Sequence, residues 1–388
     1  KDAFWNSLLA GESGIGPITQ FDASEIPWKI AGEIPNFRAT DHLPPEIKPK
    51  RESRVAQLAA AAFQMARKDA ELSDETLKIS SPVLIAIGST LGGLDLVEEH
   101  DRRIERNGIK NGLVTVSYCL NVKGPSVISN LLGLPSQITT IGNSCTAGLD
   151  AIASAYGSIS RGDFDIAFTG GSEATIIPSI VTGLGYAGLL STQFEAPHKA
   201  CRPFDLLRTG GIVGEGAGVV VLESLEHARQ RGATPYAEIV GYATACDYKD
   251  MKSSGFEICI NKALQNGGCL TQDITHFSAH GVSSQFLDLV ETDAIKSVFG
   301  DHAYNMPVSS IKAVTANPIA AGGALQVISE CLSYKYGVIP PTANYEVPDP
   351  ACDLDYVPTK ARKIKLGKTM INSRGMGGLN STMILGSL

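Results

Sequence analysis

Long apolar runs are missing from this chain of 388 residues. Nothing in it reads as a membrane helix, which needs about 20 consecutive apolar residues. No secretory leader is visible either, since the opening KDAFWNSLLAGESGI reads as a helix followed by a turn. Positive charge is in deficit: 33 Lys and Arg face 40 Asp and Glu, for a net charge of −7. That balance argues against a nucleic-acid partner, because such domains present a basic surface. The eight cysteines, at 119, 145, 201, 246, 259, 269, 331 and 352, contain no CxxC pair, so a zinc ribbon or a redox dithiol has no support. No HExxH helix and no Walker loop occurs, and no metal site is expected. A chain this long builds a core without disulfide staples. Reduced thiols in a cytoplasmic protein are therefore the expectation.

What the chain does contain is alternation. VLIAIGS (83–89), QITTIG (137–142) and DIAFTGGSEA (165–174) are buried-strand patterns. GVVVLESLEHARQRG (218–232) reads as a strand passing into a polar helix that stops at glycine. Further strand-like segments follow at YAEIVGYATAC, THFSAHG, MPVSSIK and MINSRGMGGLNSTMIL, and residues 52–72 predict a long alanine-rich helix. Strands interleaved with helices predict an α/β protein whose sheets are covered on both faces. A boundary near residue 230 divides it into halves, 1–230 and 231–388. Both halves show strand–glycine–helix units, but no internal repeat is demonstrable from the residues.

In TTIGNSCTAGLDAIASAYGSI (139–159) a β-branched strand turns into a helix of small residues, and Cys145 stands at the turn. Unpaired N–H groups and the helix dipole at such a position favour a thiolate, the nucleophilic form. The competing reading is a small buried residue, a common fate of free cysteine. His280, in FSAHGVSS, follows an apolar strand and precedes a glycine, where open α/β sheets place site residues. Lys312 and Asn317 lie in VSSIKAVTANPIAAGGA (308–324), and Asn317 is either a turn residue or an amide donor to a site. The glycine-dense loop NSRGMGGLNST (372–382) can aim backbone N–H groups at one point, as an oxyanion hole requires. GGIVGEGAG (210–218) precedes a strand and does not follow one, so a dinucleotide loop is rejected.

Taken in order and spacing, LLAGESGI, GSTLGG, the Cys145 turn, FTGGSEA, CRPFD, GEGAGVVVLESLEHARQRGA, SAHG, SSIKAVTA, VIPPTANYEVPDPACDLDYVP and NSRGMGGLN resemble the elongating β-ketoacyl-acyl-carrier-protein synthases. The resemblance covers nearly the whole chain. It implies the thiolase-like fold, five layers αβαβα built from two similar halves, in a dimer. It implies that Cys145 accepts an acyl chain from a carrier-protein thioester, with the N–H groups of Cys145 and Met376 as the oxyanion hole. His280 would stabilise the enolate formed when malonyl-carrier protein loses CO₂, with Lys312 and Glu291 in support. The substrates ride on the phosphopantetheine of an acyl carrier protein, and no other cofactor is implied. Arg202 of CRPFD would meet the pantetheine phosphate, Val282 and Ser284 would line the pantetheine arm, and the basic run Lys48, Lys50, Arg51 and Arg54 would dock the acidic carrier. The alternative for that run is a solvated helix start.

The chain departs from the pattern at several of these positions. Asn317 stands where elongating synthases carry a second histidine; it donates an N–H but has no basic nitrogen. Val282 replaces a threonine, Arg374 and Met376 replace gating phenylalanines, and Leu379 replaces another threonine; a buried arginine at 374 would need a partner or water. Three readings are consistent with this pattern: a divergent ketosynthase of a secondary fatty-acid or polyketide pathway, a chain-length-factor-like subunit paired with a complete ketosynthase, and a Cys-His-Asn thiol hydrolase. The partner is then a second copy of the chain or a related ketosynthase subunit.

Overall fold

The computed structural model describes residues 1–80, 82–111, 116–247 and 254–388. The run VLIAIG forms strand β1 (Val83–Gly88), buried at all its positions, as a strand covered on both faces must be. It pairs in parallel with β2 (Ser136–Ile141) and β3 (Ile166–Glu173), and β3 pairs antiparallel with β4 (Gly216–Glu223). The first sheet therefore runs β2-β1-β3-β4. A second sheet runs β5-β9-β8-β6-β7, from β5 (Glu238–Cys246), β6 (Ile274–Ser278), β7 (Val308–Ser309), β8 (Lys368–Gly375) and β9 (Leu379–Gly386). In it β6 pairs in parallel with β7 and β8, and β8 pairs antiparallel with β9. The pairing senses of the first sheet thus recur in the second, and β5 is an added edge strand. The duplication that the residues do not display is plain in the topology.

Helices α1 (Arg54–Asp69) and α2 (Lys123–Leu132) cover one face of the first sheet, with Phe63 of α1 set edge-on to Phe168 of β3 at 4.7 Å. Helices α4 (Ser254–Asn266) and α5 (Gln285–Phe299) cover the far face of the second sheet, around Ile260, Phe277, Ile295 and Met370. Between the sheets lie α3 (Ala147–Ser160) and α6 (Gly322–Tyr336). Ala151 and Ala155 of α3 pack on the first sheet, while Ile152 of α3 and Val327 of α6 pack with Ile371 and Met383 of the second. These are the five layers, α/β/α/β/α.

The middle layer is closed by glycines. A Cβ on Gly148 or Gly171 would lie 2.3 Å or 2.2 Å from the Ala320 carbonyl oxygen, and one on Gly323 would lie 2.9 Å from Leu149 Cβ. Backbones approach this closely only where the side chain is absent. The consequence for function is that the start of α3 and the start of α6, which follow equivalent strands β2 and β7, are locked side by side.

Candidate active site

From β2 the chain passes through Gly142 and Asn143 into a single 3₁₀ turn, Ser144–Thr146, which feeds α3. Asp150, one turn into that helix, holds the turn in place. Its carboxylate accepts from Asn143 Nδ2 at 2.7 Å, Thr146 Oγ1 at 2.9 Å and the Tyr242 hydroxyl at 2.7 Å. Cys145 is thereby fixed at the helix start and is only 7 % exposed. Burial raises its thiol above the ordinary cysteine value, while the Ser144 hydroxyl, the Asn317 amide and the Lys312 charge draw it back. The thiolate expected from the helix dipole is thus outweighed by desolvation, which disfavours the charged form. The group at rest is a thiol.

The second half contributes a histidine. His280 lies just past the end of β6 and is 3 % exposed. Glu291 of α5 seats its backbone: one carboxylate oxygen accepts the His280 N–H and the other the Gly281 N–H, both at 2.8 Å. Lys312 Nζ donates to the His280 carbonyl. The imidazole Nδ1 accepts the Arg374 N–H at 3.3 Å, so the ring proton sits on Nε2. Burial, then the charges of Lys312 and Arg374, hold its pKa well below the usual imidazole value. His280 is a neutral donor. Burial also lowers Lys312, opposed by Glu291, and raises Glu291, opposed by the Gly281 N–H, the Asn372 amide and the His280 N–H.

Asn317 precedes α6 as Cys145 precedes α3. Its backbone is pinned on both sides, N–H to the Ile212 carbonyl at 2.8 Å and carbonyl to the Gly214 N–H at 3.0 Å. Its Nδ2 faces Cys145 Sγ at 3.9 Å. Ser144, Ser283, Ala316 and Ile319 carry side chains at φ of 55°, 68°, 54° and 41°. Such strained conformations cluster where a surrounding structure enforces a site.

The other expected residues have mixed placements. Met376 follows β8, and its N–H donates to Ser144 Oγ at 3.1 Å, so in this state the expected oxyanion donor is engaged. The Arg374 side chain, 3 % exposed, pairs with Asp247 and lies 5.0 Å over the Phe256 ring; sequence reasoning called for such a partner without naming it. Val282 is buried, with its N–H on Asp288. Ser284 caps α5, its hydroxyl accepting the Leu287 N–H at 3.2 Å. Arg202 lies between Asp205 and Glu346 at 3.3 and 3.1 Å, its charge balanced by protein carboxylates. In the basic run Lys48 and Arg51 are exposed, the Lys50 side chain lies outside the described residues, and Arg54 grips the buried Glu215 with two 2.5 Å bonds. Arg54 is thereby tied to the protein's own carboxylate.

Sequence reasoning missed Asp150, Asp247, Ser144 and two buried carboxyls. Glu173, pushed up to about 7 by burial, accepts the Thr90 and Leu91 N–H groups. Thr90 Oγ1 in turn donates to the Ser144 carbonyl at 3.2 Å. Asp288, also pushed up to about 7 by burial, gathers the N–H groups of Phe204, Val282 and Ser284. An acidic residue at the end of the FTGGSE strand was the only available signal for Glu173. Among the described residues no His/Cys/Asp/Glu group could hold a metal, and no helix is long and apolar enough to cross a membrane.

Asn317 Nδ2 lies 3.9 Å from the buried Cys145 thiol, and β8 links that thiol to the neutral histidine, since the Ser373 hydroxyl donates to the Cys145 carbonyl at 3.0 Å and the next residue's N–H meets His280 Nδ1. The chain's relatives carry matching names. It is 36 % identical to the 3-oxoacyl-[acyl-carrier-protein] synthase 2 of Coxiella burnetii over 98 % of this chain and 93 % of that one, and 35 % identical to that of Synechocystis sp. over 98 % and 92 %. The structure titled the ishigamide ketosynthase/chain length factor superposes with a TM-score of 0.92 at 31 % identity, over 100 % of this chain and 95 % of that one. A type II PKS acyl-carrier protein in complex with its ketosynthase bound to the hexaketide gives 0.91 at 28 %, with the same coverage. The Beta-ketoacyl synthase N-terminal domain family matches residues 1–228 and the C-terminal domain family residues 236–346. The chain belongs to the β-ketoacyl synthase family.

Proposed function

We propose that this chain is a decarboxylating 3-oxoacyl-carrier-protein synthase of a secondary fatty-acid or polyketide pathway, with Cys145, His280 and Asn317 as its reacting residues. In the first step Cys145 Sγ attacks the carbonyl of an acyl-carrier thioester. The Sγ–C bond forms as the carrier's C–S bond breaks, and the proton of Cys145 ends on the departing carrier thiol. In the second step malonyl-carrier protein loses CO₂, and the enolate oxygen lies between His280 Nε2–H and Asn317 Nδ2–H. The enolate carbon then attacks the acyl-cysteine, releasing the Cys145 thiolate and a β-ketoacyl chain two carbons longer. Neither donor has to ionise. Stabilisation by a well-placed donor at an oxyanion contributes about 3 kcal/mol to lowering a barrier.

The observation that carries this reading is the pairing of His280 with the Arg374 N–H, which leaves the Nε2 proton for the enolate. Lys48 and Arg51 are the exposed cations for an acidic carrier. The eight unpaired cysteines fit a reducing cytoplasm. Strand β2 is an edge of its sheet, and Ile138 on it is 37 % exposed; Thr140 of the same strand donates to the carbonyl of Asn121, whose neighbours Leu120 and Val122 are exposed as well. An unpaired edge beside apolar side chains is a place for a second subunit, a copy of this chain or a related ketosynthase.

A second reading, a chain-length-factor-like subunit, is favoured by Asn317 in the place of a histidine. It is opposed by the intact Cys145 turn. Sequence similarity across 98 % of the chain displaces the thiol-hydrolase reading. Incubation with acyl-carrier protein, alone and with a related ketosynthase subunit, followed by peptide mass spectrometry decides between the first two. An acyl adduct on Cys145 supports the enzyme; none in either mixture overturns it.

A further inference from the structure

The residue before the nucleophile carries a hydroxyl in a place that neither the chemistry nor the backbone asks for. Ser144 sits at φ 55°, a left-handed conformation in which glycine is unstrained and a β-carbon is not. Its side chain is buried at 8 % exposure. Three contacts fix it: the hydroxyl oxygen accepts the Met376 N–H at 3.1 Å, the hydroxyl points at Cys145 Sγ at 3.9 Å, and the carbonyl accepts from Thr90 Oγ1 at 3.2 Å. The approach is enforced from the other side as well, since a Cβ on Gly375 would lie 3.0 Å from Ser144 Cβ and 3.4 Å from the Cys145 nitrogen. The backbone at Gly375 and Met376 therefore lies against both Ser144 and the Cys145 nitrogen, and the Ser144 hydroxyl occupies the acceptor position at the Met376 N–H.

We propose that Ser144 is a positioning residue that occludes one of the two oxyanion donors in the resting site, so that acylation of Cys145 waits on its hydroxyl turning away from Met376. This rests on the acyl-cysteine reading above. The thioester oxygen and the serine hydroxyl compete for the same N–H, and a donor engaged at rest must be freed before it stabilises a transition state. A substrate anchored along its length supplies binding energy for that rotation, while a minimal thioester supplies little. The serine thus disfavours adventitious acylation by small free thioesters.

The test compares wild type, Ser144→Ala and Ser144→Gly in two reactions at Cys145. One is acylation by the minimal probe hexanoyl-N-acetylcysteamine, which passes through an oxyanion. The other is alkylation by iodoacetamide, which does not. Ser144→Gly suits a φ of 55°, so it retains the fold should the alanine variant be strained. Release of one net hydrogen bond is expected to raise the acylation rate constant about three- to tenfold in both variants. The alkylation rate is expected to stay level or fall, since the Ser144 contact that lowers the thiol pKa is lost. Parallel changes in both reactions, or slower acylation, would overturn the proposal and leave the acyl-cysteine reading standing. Failure of all three proteins to acylate with the probe while Cys145 is still alkylated would overturn this proposal; the acyl-cysteine reading falls only if acyl-carrier protein also leaves Cys145 without an adduct.

Discussion

At the scale of single residues, burial favours the neutral forms of the groups proposed to react. The Cys145 thiol is raised by burial, so its iodoacetamide alkylation should keep accelerating beyond the ordinary thiol range of about 8.5. A plateau near neutral pH would contradict that. His280 moves the other way: its folded pKa is lowered, so the neutral donor persists below the ordinary imidazole value of about 6.5. Condensation should then show no acid limb from His280 as pH falls through that value. The linked cost falls on stability. Between the lowered folded value and about 6.5 the unfolded chain binds the extra proton, so stability declines as pH drops through that window. Asn317 has no titration in the range, and Asn317→His places an imidazole at a partly buried position where desolvation lowers it, so the acid limb it introduces in the condensation profile should lie below about pH 6.5. His280→Ala should reduce the condensation rate by about 10² to 10³, with Cys145 acylation reduced far less. The three residues proposed to react stood out in the sequence because each lies at a strand end or before a helix start, and the structure places them there. The neutrality of the trio was not legible there, because it depends on burial and on Lys312 and Arg374 meeting His280 in space.

At the scale of elements, the site depends on two interlocks. One is the contact of α3 with the Ala320 turn. Gly148→Ala would push a methyl group to 2.3 Å from the Ala320 carbonyl. The two helix starts would separate, costing about 1–3 kcal/mol or more and most of the acylation rate; urea titration and the mass-spectrometric adduct measure the two losses. The other interlock is the ion pair between Asp247, at the end of β5, and Arg374 of β8, both under 5 % exposed at the side chain. Asp247→Ala removes the carboxylate from a buried guanidinium and should destabilise the protein by about 3–5 kcal/mol, read as a lower urea midpoint. These features explain where sequence reasoning stopped. Arg374 signalled the need for a partner, but that partner lies 127 residues away, and no local pattern joins them. Ser144 and Asp150 are short polar residues that any helix start tolerates, so nothing in their spacing announced the network they form. Arg202 and Ser284 were singled out through a family motif; the ion pairs of the one and the helix cap of the other were not legible there.

At the scale of the molecule, the β-branched runs and intervening helices specified an α/β protein, and the strands fell where the runs were. The duplication was hidden because it lies in the order of strand pairing, which β2-β1-β3-β4 set beside β7-β6-β8-β9 reveals. That order puts Cys145 and Asn317 at equivalent points and leaves β2 as an open edge. Ile138→Lys, placing charge on that edge, should shift a two-chain species toward monomers in sedimentation without altering the far-ultraviolet spectrum. The account's central claim is that Cys145 carries the acyl chain that the enolate attacks. Peptide mass spectrometry tests it most directly: acyl-carrier protein is added first and malonyl-carrier protein second, with and without a related ketosynthase subunit. The expected result is an acyl mass on Cys145 that disappears on the second addition as a β-ketoacyl product two carbons longer appears. An adduct that never forms in either mixture, or one that persists unchanged after malonyl-carrier protein, would contradict it.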